Sequence, residues 1–312
     1  MNRKSNEGPR SESTFRIFGL GTVVVDHQVM LDRLPEADHK GEIVDDRRQV
    51  GGPVPTALCV LRRLGHDTTF QGSWAADGDG DRIEADLRRE GVHFHAASKR
   101  MEGRTGFAHV WVERGTGRRS IAGYRGSHPI EEHQVRAELL AGHDALHLDG
   151  WSAAAAIKAA RIVRARGGVV FLDLGSPKPD LAKLLAEVDF VNCPSSLFQR
   201  LYGSGDMERG VRELLEHGPR QVTVTDGAKG AWLFRNGHPG IHQAAFPIDA
   251  IDTNGAGDTF SGAMIHGTLK GWPAEHRLRF AAAAAAVKCA GIGNRDALPT
   301  LVEIDALIRK GC

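Results

Sequence analysis

The chain has 312 residues, 41% hydrophobic and 25% charged, with a net charge of +1. That length and apolar content support a large core, which excludes a disordered or fibrous chain. The balanced charge excludes the broad basic field of a nucleic-acid binder, and short pairs such as Arg47-Arg48 and Arg62-Arg63 read as solvated faces.

Residues 1–14 are polar and lack an apolar signal core, so they are expected to form a disordered tail ahead of one domain over 15–312 in a cytoplasmic protein. Cys59, Cys193, Cys289 and Cys312 are far apart with no CxxC pair, as suits reduced thiols. The run 15–26 predicts a buried first strand that ends in a polar loop at Asp26. A helix is expected over 53–64, opened by Gly51-Gly52 and stopped by Gly65. Strand signals at 68–70, 145–148, 169–172 and 221–225 then alternate with helix signals at 81–90, 153–166 and 180–187. This alternation predicts an α/β fold, a mainly parallel sheet with helices on both faces. Segments 31–50 and 105–124 break the rhythm. They carry strand-like residues and turn glycines (Gly115, Gly117), and read as short antiparallel strands on one edge of the main sheet that could cover a site as a lid. The alanine-rich run 280–287 is too short and too weakly apolar to span a bilayer, and reads as a buried helix face.

The most informative stretch is 252–262. A short apolar segment over 246–251, read as a strand end, runs into Gly255-Ala256-Gly257, then Asp258, then a helix-compatible run from Thr259. That order presents backbone N–H groups at the positive end of a helix, where an oxyanion is stabilised without a basic side chain. A carboxylate in the same turn would repel a phosphate, unless it takes the proton from a nucleophile attacking that phosphate. The reading is phosphoryl transfer to a hydroxyl, with Asp258 as base and Gly255, Ala256 and Gly257 as anion hole. The plain alternatives are a helix cap for Asp258 and a tight turn for the glycines. No Walker A sequence is present, which excludes a P-loop kinase, and Gly19-Leu20-Gly21 lacks the third glycine of a dinucleotide fingerprint. His143, His147 and Asp149 fall on a strand, which does not give the helical spacing that a metal pair of this pattern needs.

From about residue 15 onward the sequence resembles the PfkB/ribokinase-type carbohydrate kinases. DTNGAGDTFSG at 252–262 is close to that family's C-terminal signature. Gly51-Gly52-Pro53-Val54-Pro55-Thr56-Ala57, running on to Arg63-Leu64-Gly65, resembles the N-terminal one. Asp26, Gly72, Asp77, Gly80, Thr105-Gly106, Thr225-Asp226-Gly227-Ala228-Lys229-Gly230 and Leu298-Pro299 add to the likeness. The resemblance implies a Rossmann-like domain with a small β lid, ATP with Mg2+ as donor, and a small sugar, ketose-like by preference, as acceptor. It implies that Asp26, Gly51, Gly52 and Thr56 line the sugar pocket. Thr225, Gly227 and Gly230 would lie along the nucleotide, with Ala282 and Gly293 near the adenine. Asp252 and Asn254 would sit at a monovalent cation (K+) site.

Two departures stand out. Thr56 replaces the family's usual Asn, and Pro194-Ser195-Ser196-Leu197 stands where an Asn-x-x-Glu motif tied to Mg2+ and phosphate is expected. Ketohexokinase-like and sulfofructose-kinase-like branches also tolerate that loss. The expected partners are a sugar and ATP, with no nucleic acid and no membrane, and a homodimer could form through the edge of the lid. A nucleoside kinase of the same fold, with Phe107, Trp111 or Tyr124 as a stacking platform, is the alternative enzyme. A catalytically weak sugar-binding regulatory protein is the alternative of another class.

Overall fold

Apolar strand segments alternate with helices along most of the chain, and the computed structural model, which describes residues 14–116, 118–203 and 206–311, stacks them around one large sheet. In chain order the first elements are β1 (Arg16–Leu20), β2 (Val24–Leu31), β3 (Ile43–Gly51), α1 (Pro53–Arg63), β4 (Asp67–Gln71), β5 (Trp74–Ala75) and α2 (Gly78–Arg89). Next come β6 (His93–Phe94), β7 (Lys99–Arg100), β8 (Phe107–Glu113), β9 (Arg119–Tyr124), β10 (Ala145–Leu148), α3 (Ala153–Arg164) and β11 (Val169–Asp173). They continue with α4 (Leu181–Leu185), β12 (Phe190–Pro194), α5 (Ser196–Tyr202), α6 (Met207–Glu216) and β13 (Gln221–Thr225). The last are β14 (Ala231–Phe234), β15 (Ile241–Gln243), α7 (Ala256–Leu269), α8 (Ala274–Cys289) and α9 (Leu301–Lys310).

The large sheet runs β15-β14-β13-β12-β11-β10-β1-β4-β6 and is parallel except for the antiparallel pairings of β14 and β15. Successive strand residues point to opposite faces, so the sheet feeds two cores. Ile17, Ala145 and Phe171 join α1, α7 and α8 on one side, whereas Phe18, Leu146 and Val170 join α3, α4 and α6 on the other. The alanine-rich run lies inside α8, with Ala281, Ala283 and Ala284 fully buried, as expected. Among the described residues no helix is long and apolar enough to cross a membrane. Cys59, Cys193 and Cys289 are free thiols.

Three expectations give way. The run 15–26 is not one strand: β1 ends at Leu20, the chain turns through Gly21, and β2 enters a different sheet. Gly21 marks the break because a Cβ there would press on Val54 and on the Asp149 carboxylate. The segments 31–50 and 105–124 do not extend the main sheet. With β2 they make a separate four-stranded sheet, β3-β2-β8-β9, in which β2 pairs parallel with β8. Finally, residues 246–251 form no strand. Pro247 cannot donate to a ladder, and the segment is anchored instead on α8, where the N–H groups of Ile251 and Asp252 donate to the Cys289 carbonyl at 2.8 and 3.2 Å. Residues 1–13 of the expected tail, Gly117 and Cys312 lie outside the described residues.

Candidate active site

Strand order reverses between β1 and β10, the place where open α/β sheets offer a crevice at the carboxyl ends of their strands. Gly21-Thr22, Asp149 and Asp173 sit at or just beyond the ends of β1, β10 and β11. Asp149 fixes the first of these turns, accepting the Thr22 N–H at 2.6 Å and the Trp151 N–H at 3.1 Å.

The turn at the start of α7 faces this crevice. Gly255, at φ +75°, is the cap residue and supplies no side chain, so Asp258 is not the helix cap. Ala256, Gly257 and Asp258 are the first three helical residues, with no acceptor for their N–H groups within the helix; the Ala256 N–H donates to the Thr253 carbonyl at 3.3 Å, which leaves those of Gly257 and Asp258 toward the crevice. A Cβ on Gly257 would meet nothing within 4 Å, so the turn is open at that point. Burial raises the Asp258 pKa to about 6, while Arg119, Arg295 and Lys288 pull it back down. One turn later, Ser261 Oγ donates to Asp173 Oδ2 at 2.9 Å and accepts from Asn192 Nδ2 at 3.3 Å. Burial, then the charges of Asp258 and Asp149, raise Asp173 to about 7. Lys178 lies beside these acids, lowered to about 8 by burial. It and Arg125 flank the Trp151 ring at 3.7 and 3.5 Å from its centroid.

Across the crevice stands Asp26, which lies inside β2 of the small sheet rather than in a loop after the first strand. It is 7% exposed, and burial raises its pKa to about 6 even as hydrogen bonds from Asn294 and Asn254 lower it. A Cβ on Gly51 would collide with Asp26 Oδ2, and one on Gly52 (φ +110°) with the Thr22 carbonyl. The paired glycines therefore let Asp26 and the β1–β2 turn close on the start of α1. Thr56 is only 1% exposed and its hydroxyl accepts from Arg295 at 3.1 Å, so it stands behind the pocket wall. Asn294 ties the site together. It donates its side-chain amide to Asp26 (3.0 Å) and its N–H to Gln49 on β3 (2.6 Å), and it accepts from Asn254 (2.9 Å). From the small sheet, Arg119 on β9 donates to the Thr253 hydroxyl at the turn.

Thr225 ends β13, and Gly227 (φ +50°) has open space around it. Gly230 is required by packing, because a Cβ there would strike the Gln243 carbonyl. Ala282 is buried in α8, and the Gly293 N–H is committed to Asp252 Oδ2 at 3.0 Å. Asp252 and Asn254 both lie at the turn, bonded to Lys288 and Asn294 respectively. Pro194-Ser195-Ser196-Leu197 spans the end of β12 and the start of α5, with Leu197 wholly in the core, so no carboxylate arises there. Among the described residues no cluster of three or more His, Cys, Asp or Glu side chains is arranged to hold a metal ion. His147 is wholly buried in β10, with its pKa lowered to about 4 by that burial.

Asp173, Lys178, Arg119 and Asn294 were not singled out from sequence, and Asp149 was considered only as part of a metal pattern. Asp149, Arg119, Asn294 and the Asp173–Lys178 segment come from separate parts of the chain, so no local spacing marks their meeting. The charge of Asp173 directly after an apolar strand was the one available signal.

The family model for pfkB family carbohydrate kinases matches residues 16–301. Mouse (Mus musculus) ketohexokinase is 26% identical over 286 residues, which is 88% of this chain and 96% of that protein. The ATP-dependent ribose-1-phosphate kinase of Halopiger xanaduensis is 27% identical over 307 residues, 94% and 98% of the two chains. Among solved structures, Arabidopsis thaliana ribokinase in complex with ribose and ATP superposes with a TM-score of 0.79 at 26% identity, covering 95% of this chain and 99% of that one. The family model spans nearly the whole described chain and the ribokinase fold covers 95% of it, so the chain belongs to the pfkB family of carbohydrate kinases.

Proposed function

We propose that the protein transfers the γ-phosphoryl group of ATP to a hydroxyl of a small, ketose-like sugar, with Asp258 as general base and the N–H groups of the 255–257 turn as anion hole. The observation that carries this reading is Asp258 itself, a carboxyl raised to about 6 in a helix turn that opens into the crevice at Gly257. Such a group is ionised at neutral pH yet more basic than an ordinary aspartate, which suits proton abstraction.

The acceptor hydroxyl, positioned by Asp26, gives its proton to Asp258 while its oxygen forms a bond to the γ-phosphorus. The bond to the β–γ bridging oxygen breaks, and ADP leaves. The Gly257 N–H, joined by that of Ala256 once it exchanges the Thr253 carbonyl for the phosphoryl group, stabilises charge on the transferring group, with Arg119 contributing a cation from the small sheet. Thr225, Gly227 and Gly230 lie along the nucleotide with Ala282 toward the adenine, whereas Gly293, held against Asp252 and beside Gln49 of β3, belongs to the sugar side rather than the adenine side expected for it.

Mg2+, expected with ATP in this family, neutralises donor phosphate charge when bound. Asp149 and Asp173 are the carboxylates that fit it: Asp173 is raised by burial and then by the charges of Asp258 and Asp149, and a cation beside it would relieve that charge repulsion. Magnesium is commonly held by one or two carboxylates, substrate phosphates and waters, so the missing Asn-x-x-Glu motif is no bar. Movement of the small sheet over the site would exclude water and suppress ATP hydrolysis. Its exposed Ile43 and Ile121, 57% and 56% accessible, support pairing with a second copy.

The ketose preference rests on the likeness to ketohexokinase and on the missing Asn-x-x-Glu motif, a loss that ketohexokinase-like branches are expected to tolerate. An ADP-release screen of ketoses, aldoses and nucleosides tests the proposal. Turnover of a ketose is expected. Turnover of nucleosides alone would replace the acceptor, and binding of sugar without any turnover would leave the regulatory alternative.

A further inference from the structure

The family resemblance places a monovalent cation at Asp252 and Asn254, and this chain fills that place with its own side chain. Lys288, in the last turn of α8, is 0% exposed. Its Nζ donates to the Asp252 carbonyl oxygen at 2.8 Å and lies 3.3 Å from Asp252 Oδ2. The remaining acceptors of Asp252 are also engaged. Oδ1 takes the Asn254 N–H at 2.9 Å, and Oδ2 takes the Gly293 N–H at 3.0 Å. The Asn254 side-chain amide is committed to Asn294. An ion seated on the same carbonyl and carboxylate would lie within contact range of an ammonium of like charge. The residues present do not fit a bound monovalent cation.

We infer that the Lys288 ammonium is a tethered substitute for that cation, so that the protein needs no activating K+ and Lys288 positions the anion-hole turn. The backbone explains why a cation here matters. The Asp252 carbonyl that Lys288 grips lies three residues before Gly255, and the Asp252 carboxylate orients the N–H of Asn254 in between. A positive charge at this point neutralises a carboxylate next to a phosphate site and fixes the path of the chain into α7. Its own place in the last turn of a helix also favours a cation. Burial weakens the charged form of Lys288, and the Asp252 carboxylate opposes that effect. Burial likewise pushes Asp252 upward, but Lys288 and the two N–H donors outweigh it and hold Asp252 below the usual carboxylate range. A covalently attached cation is present at full occupancy, whereas a free ion must be recruited from solution.

The first readout uses the protein without nucleotide or sugar, so it is independent of the kinase reading. Thermal unfolding is followed for the wild type, Lys288→Ala and Lys288→Met in KCl and in choline chloride at one ionic strength. The wild-type midpoint is expected to be the same in both salts. Lys288→Ala should unfold at lower temperature in choline chloride and recover saturably as K+ enters the vacated space. Lys288→Met, whose side chain fills that space without charge, should be destabilised and indifferent to K+. Steady-state turnover gives the second readout: wild-type kcat should be equal in the two salts, and Lys288→Ala should gain kcat with K+ while its sugar KM holds. A lysine that served packing alone would produce no ion-specific rescue. A K+-specific rise in the wild-type midpoint, or wild-type activation by K+ of more than about twofold, overturns the inference even if neither variant folds. A folded Lys288→Ala that ignores K+ overturns it as well.

Discussion

Two glycine turns face each other across the crevice, and they use glycine for opposite reasons. At Gly51-Gly52 the space that a side chain would take is already filled by the protein, by the Asp26 carboxylate and the Thr22 carbonyl. At Gly257 the same space is empty. One glycine pair lets the protein approach itself and so fixes a carboxylate, while the other leaves room for something from outside. The carboxylates differ in the same way. Asp26 receives a hydrogen bond from Asn294, whereas Asp258 stands among charges, with Arg119, Arg295 and Lys288 against its burial.

The largest effect is expected at Asp258. Asp258→Asn should lower kcat by about 10²–10⁴, the usual contribution of a positioned general base. Its stability should move the other way. The folded pKa of about 6 lies above the unfolded value of 3.8, so the group's stabilisation is complete below 3.8 and lost as pH rises through 6. At pH 7.5 the native state carries the cost of a buried charge, so the melting temperature of Asp258→Asn should equal or exceed that of the wild type. Scanning calorimetry alongside turnover checks both halves, and a marked loss of stability would recast Asp258 as structural.

Gly257→Val comes next. It should cost about a hundredfold in kcat/KM for ATP, the low end for a lost oxyanion contact. Its melting temperature should stay close to wild type, because the new side chain enters open space. Gly51→Ala reverses that pattern. The Cβ collides with Asp26, so stability should fall by about 1–3 kcal/mol, as in an overpacked core, and the sugar KM should rise while the ATP KM holds. Equal behaviour of the two variants in denaturation and kinetics would erase the distinction between the turns.

The smallest effect on turnover is expected far from the crevice. His66 accepts the Phe15 N–H on Nδ1 and meets His266 at 2.8 Å, and burial lowers the two to about 4 and about 3. Both folded values lie below the ordinary 6.5, so this contribution to stability is present above pH 6.5 and lost as pH falls toward 4. His266→Phe should leave kcat unchanged and flatten the fall in melting temperature between pH 6.5 and 5. An unchanged slope would remove the pair from the acid response.

The turn at 252–262 was legible in the sequence because its parts are contiguous: glycine cap, open glycine, acid and helix start follow one another. The βα alternation was legible for the same reason. The break at Gly21 was not, since it is imposed by Val54 and Asp149 from other elements, and missing it hid β2 and misplaced Asp26. The acids Asp149 and Asp173 come from two strands that become neighbours only in the sheet. Thr56 looked like a pocket residue by motif, but its hydroxyl is drawn to Arg295, 239 residues away along the chain. Asp77, Gly80 and Thr105, which the motif comparison grouped only loosely, form one joint. The Asp77 carboxylate accepts the Gly80 N–H at 2.8 Å, the Thr105 N–H at 2.9 Å and the Thr105 hydroxyl at 2.6 Å, tying α2 to the foot of β8.

The central claim is that Asp258 draws the proton from a sugar hydroxyl as the phosphoryl group moves. The most direct measurement is transfer of labelled γ-phosphate from ATP to the preferred sugar across about pH 5 to 9, for the wild type and Asp258→Asn. A free-enzyme kcat/KM that falls about tenfold per pH unit below about 6 in the wild type, with a variant at least about a hundredfold slower and without that inflection, is the predicted result. Labelled sugar formed by Asp258→Asn at the wild-type rate, with the same pH profile, would contradict the account.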